Sequence, residues 1–209
     1  MVTDIRAVVF DFGGVLFDWN PEYLYGTLIP DPAQRRHFLS TVCTPAWNVQ
    51  QDGGRTLEAA TAELISRFPE HEPLIRAYYD RWIEMLRGTL DDGLEILKTL
   101  HQRGVPLFGL TNWSSETFPH ARQNYPFLGL FRDIVVSGEE LCVKPEEQIF
   151  RIALERFSRH IPDLRPENLV FIDDNEHNVI AARSMRWNAI HHTRAHRTAE
   201  QLRVLGLPV

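Results

Sequence analysis

Four short stretches of this 209-residue chain hold side chains that could do chemistry together. Asp11 follows the apolar, β-branched run Ala7-Val8-Val9-Phe10 and precedes Phe12-Gly13-Gly14-Val15. A buried strand would fix that carboxylate, and the two glycines would let a substrate approach the backbone. Thr111-Asn112 follow a second apolar run, and Asp173-Asp174-Asn175 follow a fourth. Lys144, in Val143-Lys144-Pro145, lies between the third run and the fourth. Each stretch alone has a plain structural reading: an Asp after a strand is commonly a turn or helix cap, Thr-Asn an N-cap pair, Lys-Pro a helix entry and Asp-Asp a solvated turn. Their shared position, just beyond successive strands, is what points to a site.

Three carboxylates brought close together cannot all stay ionised without a cation, because like charges raise one another's pKa. Magnesium is the natural partner: a hard ion that takes oxygen ligands and usually keeps waters and a substrate phosphate. A metal on one side and Lys144 on the other would neutralise an anionic group held between them. Thr111 and nearby backbone N–H groups could hydrogen-bond its oxygens. That arrangement suits phosphoryl transfer, where catalysis is largely positioning and charge stabilisation. Asp11 would then attack phosphorus to give a covalent aspartyl phosphate that water hydrolyses.

The elements needed to bring these residues together can be read from the patterning. Apolar runs at Ala7–Phe10, 106–110, 134–136, 169–172 and 189–191 read as buried strands. Helical patterns separate most of them, at 94–102, 146–157 and 179–185, with Lys144-Pro145 opening the second of these. Strands alternating with helices imply right-handed βαβ units and an α/β, Rossmann-like, doubly wound parallel sheet, whose ligands bind beyond the carboxyl ends of the strands. The segment from about Asp18 to Arg87 breaks the rhythm. It shows no convincing strand and has helical stretches at Pro32–Thr41, 56–67 and 73–87, punctuated by Pro30, Pro45, Asp52-Gly53-Gly54 and Pro69. It reads as an inserted α-helical cap subdomain (residues 18–88) on a catalytic core made of residues 1–17 and 89–209, placed to act as a lid.

Composition narrows the classes. The chain is 44% hydrophobic and 24% charged, as in an ordinary globular domain. Its net charge of −6 argues against a nucleic-acid partner but not against a small anionic one. No apolar stretch is long enough to span a bilayer, and Met1-Val2-Thr3-Asp4-Ile5-Arg6 lacks signal-peptide architecture, so no membrane partner and a cytoplasmic location are expected. Cys43 and Cys142 are few and far apart, which favours reduced thiols. The nine histidines, His191-His192 and His196 included, fall into no zinc-binding spacing.

Taken in order, Phe10-Asp11-Phe12-Gly13-Gly14-Val15, Leu110-Thr111-Asn112, Lys144-Pro145 and Phe171-Ile172-Asp173-Asp174-Asn175 resemble the four motifs of the haloacid dehalogenase superfamily. The resemblance covers the core and the position of the cap. Around Leu110-Thr111-Asn112-Trp113 and 175–182 it is closer to bacterial sugar-phosphate phosphatases, including the α-D-glucose-1-phosphate phosphatase type. It implies a Mg2+-dependent phosphatase of a small phosphorylated metabolite, monomeric or homodimeric. Asp11 would be nucleophile and metal ligand, with the Gly13 carbonyl, Asp173 and Asp174 as further ligands. Thr111 would hold the phosphate, with Asn112 and Trp113 beside the substrate and Lys144 balancing charge. A 2-haloacid dehalogenase, or a phosphate-binding protein without turnover, is the alternative.

Three positions depart from the family pattern. Gly13 stands where most family phosphatases place a second Asp as general acid/base, a group typically worth about 10² to 10⁴ in rate. Asp18, Asp52 and Glu58 of the cap are candidate donors in its place. Cys142 replaces a frequent glycine, and Asn178 stands where many relatives carry an acid. Trp19, Trp47 and Trp82 are expected in the core, and Arg55 and His37 are possible substrate contacts.

Overall fold

Five parallel strands form the central sheet of the computed structural model, which describes residues 4–209. Met1, Val2 and Thr3, part of the expected core segment 1–17 and of the stretch read as lacking a signal peptide, lie outside the described residues. In chain order the strands are β1 (Ala7–Phe10), β2 (Phe17–Trp19), β3 (Leu86–Thr89), β4 (Leu107–Thr111), β5 (Asp133–Val136), β6 (Leu169–Asp173) and β7 (Asn188–His191). The main sheet runs β5-β4-β1-β6-β7. Strand β1 is thus central, pairing Phe10 with Gly109 on one side and with Ile172 on the other. The chain leaves β1 in one direction and returns on its other flank, so the crevice beyond its carboxyl end is the place for a ligand.

Alternation along the strands builds two cores. Val8, Phe10, Val170 and Ile172 pack on one face, Ala7, Val9, Leu169 and Phe171 on the other. Because both faces are covered, the strands read as continuous apolar runs. The sheet is flanked by α6 (Asp91–Gln102), α7 (Phe118–Asn124), α8 (Ser137–Glu140), α9 (Glu147–Ser158), α10 (Glu176–Ser184) and α11 (Ala195–Val204), numbered after five helices in the inserted segment. On α9, Ile149, Phe150, Ala153 and Phe157 are fully buried, and the Phe157 ring stacks on Phe108 at 4.3 Å. Burying Ile149, Phe150 and Phe157 contributes about 1.5–3 kcal/mol each. The α/β doubly wound fold is therefore as the patterning implies. Helix α9 starts at Glu147, two residues beyond Lys144-Pro145, rather than on that pair.

Between β2 and β3 lie α1 (Glu22–Leu28), α2 (Pro32–Thr41), α3 (Pro45–Asp52), α4 (Leu57–Arg67) and α5 (Glu72–Asp80). Pro45 begins a helix that the patterning missed: Thr44 caps α3 by accepting from the Trp47 N–H, and a proline is tolerated in the first turn, where its missing donor is not needed. Asp31 and Thr56 cap α2 and α4 in the same way. Two expectations fail here. The stretch 18–87 does contain strand, since β2 and β3 form an antiparallel ribbon pairing Asp18 with Gly88 and Trp19 with Leu86. The helix expected over 73–87 ends at Asp80, because Trp82, Met85 and Leu86 turn inward to bury while the chain straightens into β3. Local helix periodicity yields there to tertiary burial. Tyr25, Phe38, Trp47 and Tyr78 pack at the centre of the helices, with Trp47 and Tyr78 edge to face at 5.1 Å. Cys43 and Cys142 are buried and free. Among the described residues no helix is long and apolar enough to cross a membrane.

Candidate active site

At the carboxyl edge of the sheet, Asp11 directly follows β1, while Thr111 ends β4 and Asp173 ends β6. All three are buried, and one ligand atom each from Asp11, Asp173 and Asp174 lies within 4.8 Å of the others. Lys144 reaches this group from the loop before α9. Its Nζ donates to the Leu110 carbonyl at 3.0 Å and forms ion pairs with Asp11 Oδ1 at 2.8 Å and Asp173 Oδ2 at 2.7 Å. The Lys144 side chain is 1% exposed. The Asp11 Oδ1 also accepts from the Phe12 N–H at 2.7 Å. Both contacts go to Oδ1, which leaves Oδ2 outside them.

Each neighbour of this cluster has a definable task. Asp173 Oδ1 accepts from the Asn175 N–H at 2.7 Å, and the Asn178 amide donates to both Asp173 oxygens at 3.0 and 3.1 Å. The Asn178 Oδ1 is buried without a partner. Asn112 clamps the lysine loop: its Nδ2 donates to the Lys144 carbonyl at 2.9 Å, and its Oδ1 accepts from the Lys144 N–H at 2.8 Å. Gly14 adopts φ +67°, and a Cβ there would stand 2.2 Å from Asp174 Oδ2. Only glycine lets that carboxylate settle against the turn. At Gly13, by contrast, a Cβ would meet nothing within 4 Å.

The electrostatics of the cluster call for a cation. Burial pushes the Asp11 carboxyl up to about 8 against the pull of Lys144, and Asp173 and Asp174 push it further in the same direction. Asp174 is also raised, by burial and by Asp173. Lys144 is raised, since Asp11 and Asp173 outweigh its own burial. Were all three carboxylates ionised, one ammonium would leave two negative charges uncompensated; these hard oxygen donors fit a divalent ion such as magnesium.

A cavity opens beside the cluster. Gly13, Asn112, Trp113, Ser114 and Thr117 line its floor, and Trp19, Asn48, Asp52, Tyr79 and Trp82 line the side formed by the inserted segment, with Phe17 between. Trp113 is 7% exposed; its N–H donates to Ser137 Oγ at 2.9 Å and its Nε1 to Thr117 Oγ1 at 3.1 Å. The Phe17 and Trp113 rings meet edge to face at 5.3 Å. Asp52 sits at the end of α3. Its carboxylate accepts from the Asn48 amide at 3.2 Å, and Asn48 in turn accepts from the Tyr79 hydroxyl at 3.0 Å. The Asp52 carbonyl accepts from Ser137 Oγ at 2.5 Å, which ties α3 to the end of β5. Burial pushes the Asp52 carboxyl up to about 7, with the Ser114 backbone N–H pulling the other way.

The structure thus gathers Asp11, Lys144, Thr111, Asp173 and Asp174 at one strand edge and puts Gly13, Asn112 and Trp113 on the adjoining cavity. Some expectations fall elsewhere. Arg55 pairs with Glu63 and Gln51, and His37 contacts Thr41 on α2; neither lines the cavity. As expected, Trp82 is buried in the core and Trp19 packs half-buried against it, both also lining the cavity, and Trp47 is buried with its Nε1 directed at the Ala60 carbonyl. Asp18 accepts from the Tyr23 hydroxyl at 2.7 Å, and Glu58 is exposed on α4. Sequence reasoning missed Ser137. Its signal was the small Ser137-Gly138 pair directly after the third core strand.

Comparison with known proteins agrees with this arrangement. A family model for haloacid dehalogenase-like hydrolases matches residues 5–186. The chain is 25% identical over 205 residues to the sesquiterpene phosphatase astK of Aspergillus oryzae, covering 98% of both chains. It is 24% identical over 183 residues to the N-acetylmuramic acid 6-phosphate phosphatase of Pseudomonas aeruginosa, covering 86% of this chain and 77% of that one. In fold it matches a haloacid dehalogenase-family enzyme of Bacteroides thetaiotaomicron, solved as a magnesium complex, with a TM-score of 0.69, 18% identity and coverage of 93% of this chain and 98% of that chain.

Proposed function

The chain belongs to the haloacid dehalogenase-like hydrolase family, and within it we propose a magnesium-dependent phosphatase that hydrolyses a small phosphorylated metabolite through an aspartyl-phosphate intermediate. The observation that carries this reading is the buried trio Asp11, Asp173 and Asp174 with Lys144 bridging two of its members. Asp11, the Gly13 carbonyl, Asp173 and Asp174 would hold magnesium, which supplies positive charge against the phosphoryl oxygens when bound. Asp11 Oδ2 attacks phosphorus, and the bond from phosphorus to the alcohol oxygen breaks. Lys144 and the Thr111 hydroxyl hold the phosphoryl oxygens. Asn112 fixes the lysine loop at the edge of the substrate cavity, and Trp113 forms part of the wall that receives the alcohol. Water then attacks the aspartyl phosphate at phosphorus, which frees Asp11 and releases inorganic phosphate. Residues 18–88 serve as a helical cap over the core of residues 1–17 and 89–209, so that closure excludes bulk water.

A 2-haloacid dehalogenase fits the site less well. Hydrolysis at carbon would leave the carboxylates of Asp173 and Asp174 crowded beside Asp11 with no cation to offset them. A sugar phosphate, as in the glucose-1-phosphate phosphatase type, suits the polar groups of Asn48, Asp52, Ser114 and Thr117 around the cavity. A second substrate reading rests on Phe17, Trp19, Tyr79, Trp82 and Trp113, an aromatic lining that would also receive an apolar alcohol. Two relatives act, by name, at these two extremes: a sesquiterpene and an amino-sugar phosphate.

The test is phosphate release from p-nitrophenyl phosphate, a panel of sugar phosphates and an isoprenyl monophosphate, with magnesium and with a chelator. Turnover that needs magnesium and vanishes in Asp11→Asn is the expected result. Halide release from 2-haloacids that survives the chelator would overturn it. Phosphate binding without turnover of any ester would leave only a binding protein.

A further inference from the structure

We propose that Asp52, carried into the substrate cavity by α3, is the general acid that protonates the leaving alcohol, in place of the carboxylate that Gly13 does not supply. This rests on the phosphatase reading and adds the residue that reading lacks. Gly13 and Asp52 line the same cavity, one from the core and one from the inserted helices. Asp52 is the only acidic side chain among the residues lining that cavity, and no Lys, Arg or His lines it. Its position is over-determined. Asn48 holds the carboxylate from one turn back, Tyr79 holds Asn48, and Ser137 Oγ holds the Asp52 carbonyl. Such support is what a group needs if it is to meet a substrate in one geometry.

The chemistry balances. As Asp11 Oδ2 bonds to phosphorus, the bridging P–O bond breaks and its electron pair passes to the alcohol oxygen. Asp52 gives its proton to that oxygen, and neutral alcohol leaves. In the second half, Asp52 as carboxylate takes a proton from the water that attacks phosphorus. Inorganic phosphate and the Asp11 carboxylate are regenerated, and Asp52 is again protonated. Its carboxyl, raised to about 7 by burial, remains protonated in much of the protein near neutral pH. The other titratable side chain on the cavity wall is Tyr79. Tyr78 packs behind on α5, and Asp11, Lys144, Asp173 and Asp174 lie beyond Gly13.

The experiment compares phenyl phosphate with p-nitrophenyl phosphate, which are close in shape but differ in leaving-group basicity. With magnesium present, Asp52→Asn should lower kcat/KM for phenyl phosphate by about 10² or more, and for p-nitrophenyl phosphate by at least about tenfold less. For phenyl phosphate the wild-type kcat/KM should fall as pH rises through about 7, and that fall should be missing in Asp52→Asn. Adding Gly13→Asp to Asp52→Asn, where a Cβ meets nothing within 4 Å, should restore turnover of phenyl phosphate. Equal losses on the two esters, or an alkaline fall that survives in Asp52→Asn, would overturn the assignment of Asp52 alone. A wild type inert towards both esters and towards the sugar and isoprenyl phosphates would overturn the phosphatase reading and this inference with it.

Discussion

Lys144 is in contact with two buried carboxylates at once, and its removal should show how the cluster is balanced. In Lys144→Met the methylenes are largely replaced but the charge is lost, leaving Asp11 and Asp173 buried without their partner. Breaking a buried pair from one side typically costs about 3–5 kcal/mol. We expect a lowered Tm in thermal unfolding with a chelator, a smaller deficit with excess magnesium, and no phosphatase activity in either. An equal deficit in both solutions would mean that no cation shares the task of Lys144. At this scale the sequence was informative wherever a residue's type states its chemistry: Asp11, Thr111, Lys144 and the Asp173-Asp174 pair stand at one strand edge. It was weak for Arg55 and His37, which contact Glu63 and Thr41 and do not line the cavity beside the cluster.

At the scale of elements, the tie between α3 and the end of β5 governs how firmly the inserted helices sit on the core. Ser137 donates to the Asp52 carbonyl and accepts from the Trp113 N–H, so Ser137→Ala removes both bonds. A hydrogen bond of this kind contributes about 0.5–1.5 kcal/mol. We expect kcat/KM for phenyl phosphate to fall several-fold while the magnesium concentration for half-maximal activity stays unchanged. A shift in the magnesium requirement would place the role of Ser137 in the metal cluster instead. The five core strands were legible to within a residue or two, because a sheet covered on both faces writes itself as unbroken apolar runs. The short ribbon β2–β3 was not, since its strands of 3 and 4 residues are only partly buried and one carries Gly88 at φ +128°. Helix α3 was hidden by its own first residue, Pro45, which read as a break although Thr44 caps the turn that Pro45 begins.

Across the whole molecule, Asp52 links stability to pH in an unusual sense, one that the raised carboxyls of Asp11 and Asp174 share. Asp52 has a usual value of 3.8 that burial raises to about 7 in the folded chain. The folded state therefore holds a proton that the unfolded state has released, and this contribution to stability falls as pH rises from about 4 to about 7. In Asp52→Asn its share of that slope disappears, while the shares of Asp11 and Asp174 remain. Unfolding followed by denaturant titration at pH 5 and pH 8 should show the variant gaining on the wild type at the higher pH; a constant difference would mean that Asp52 titrates normally. The bond from Ser137 to the Asp52 carbonyl has a last consequence for selectivity. It seats the inserted helices and the proton donor in a single act, so an ester too bulky to let them settle can still lodge its phosphate beside Lys144. Such a compound would occupy the enzyme without being cleaved, and discrimination by size would be felt in kcat, with oversized esters behaving as competitive inhibitors of the smaller ones.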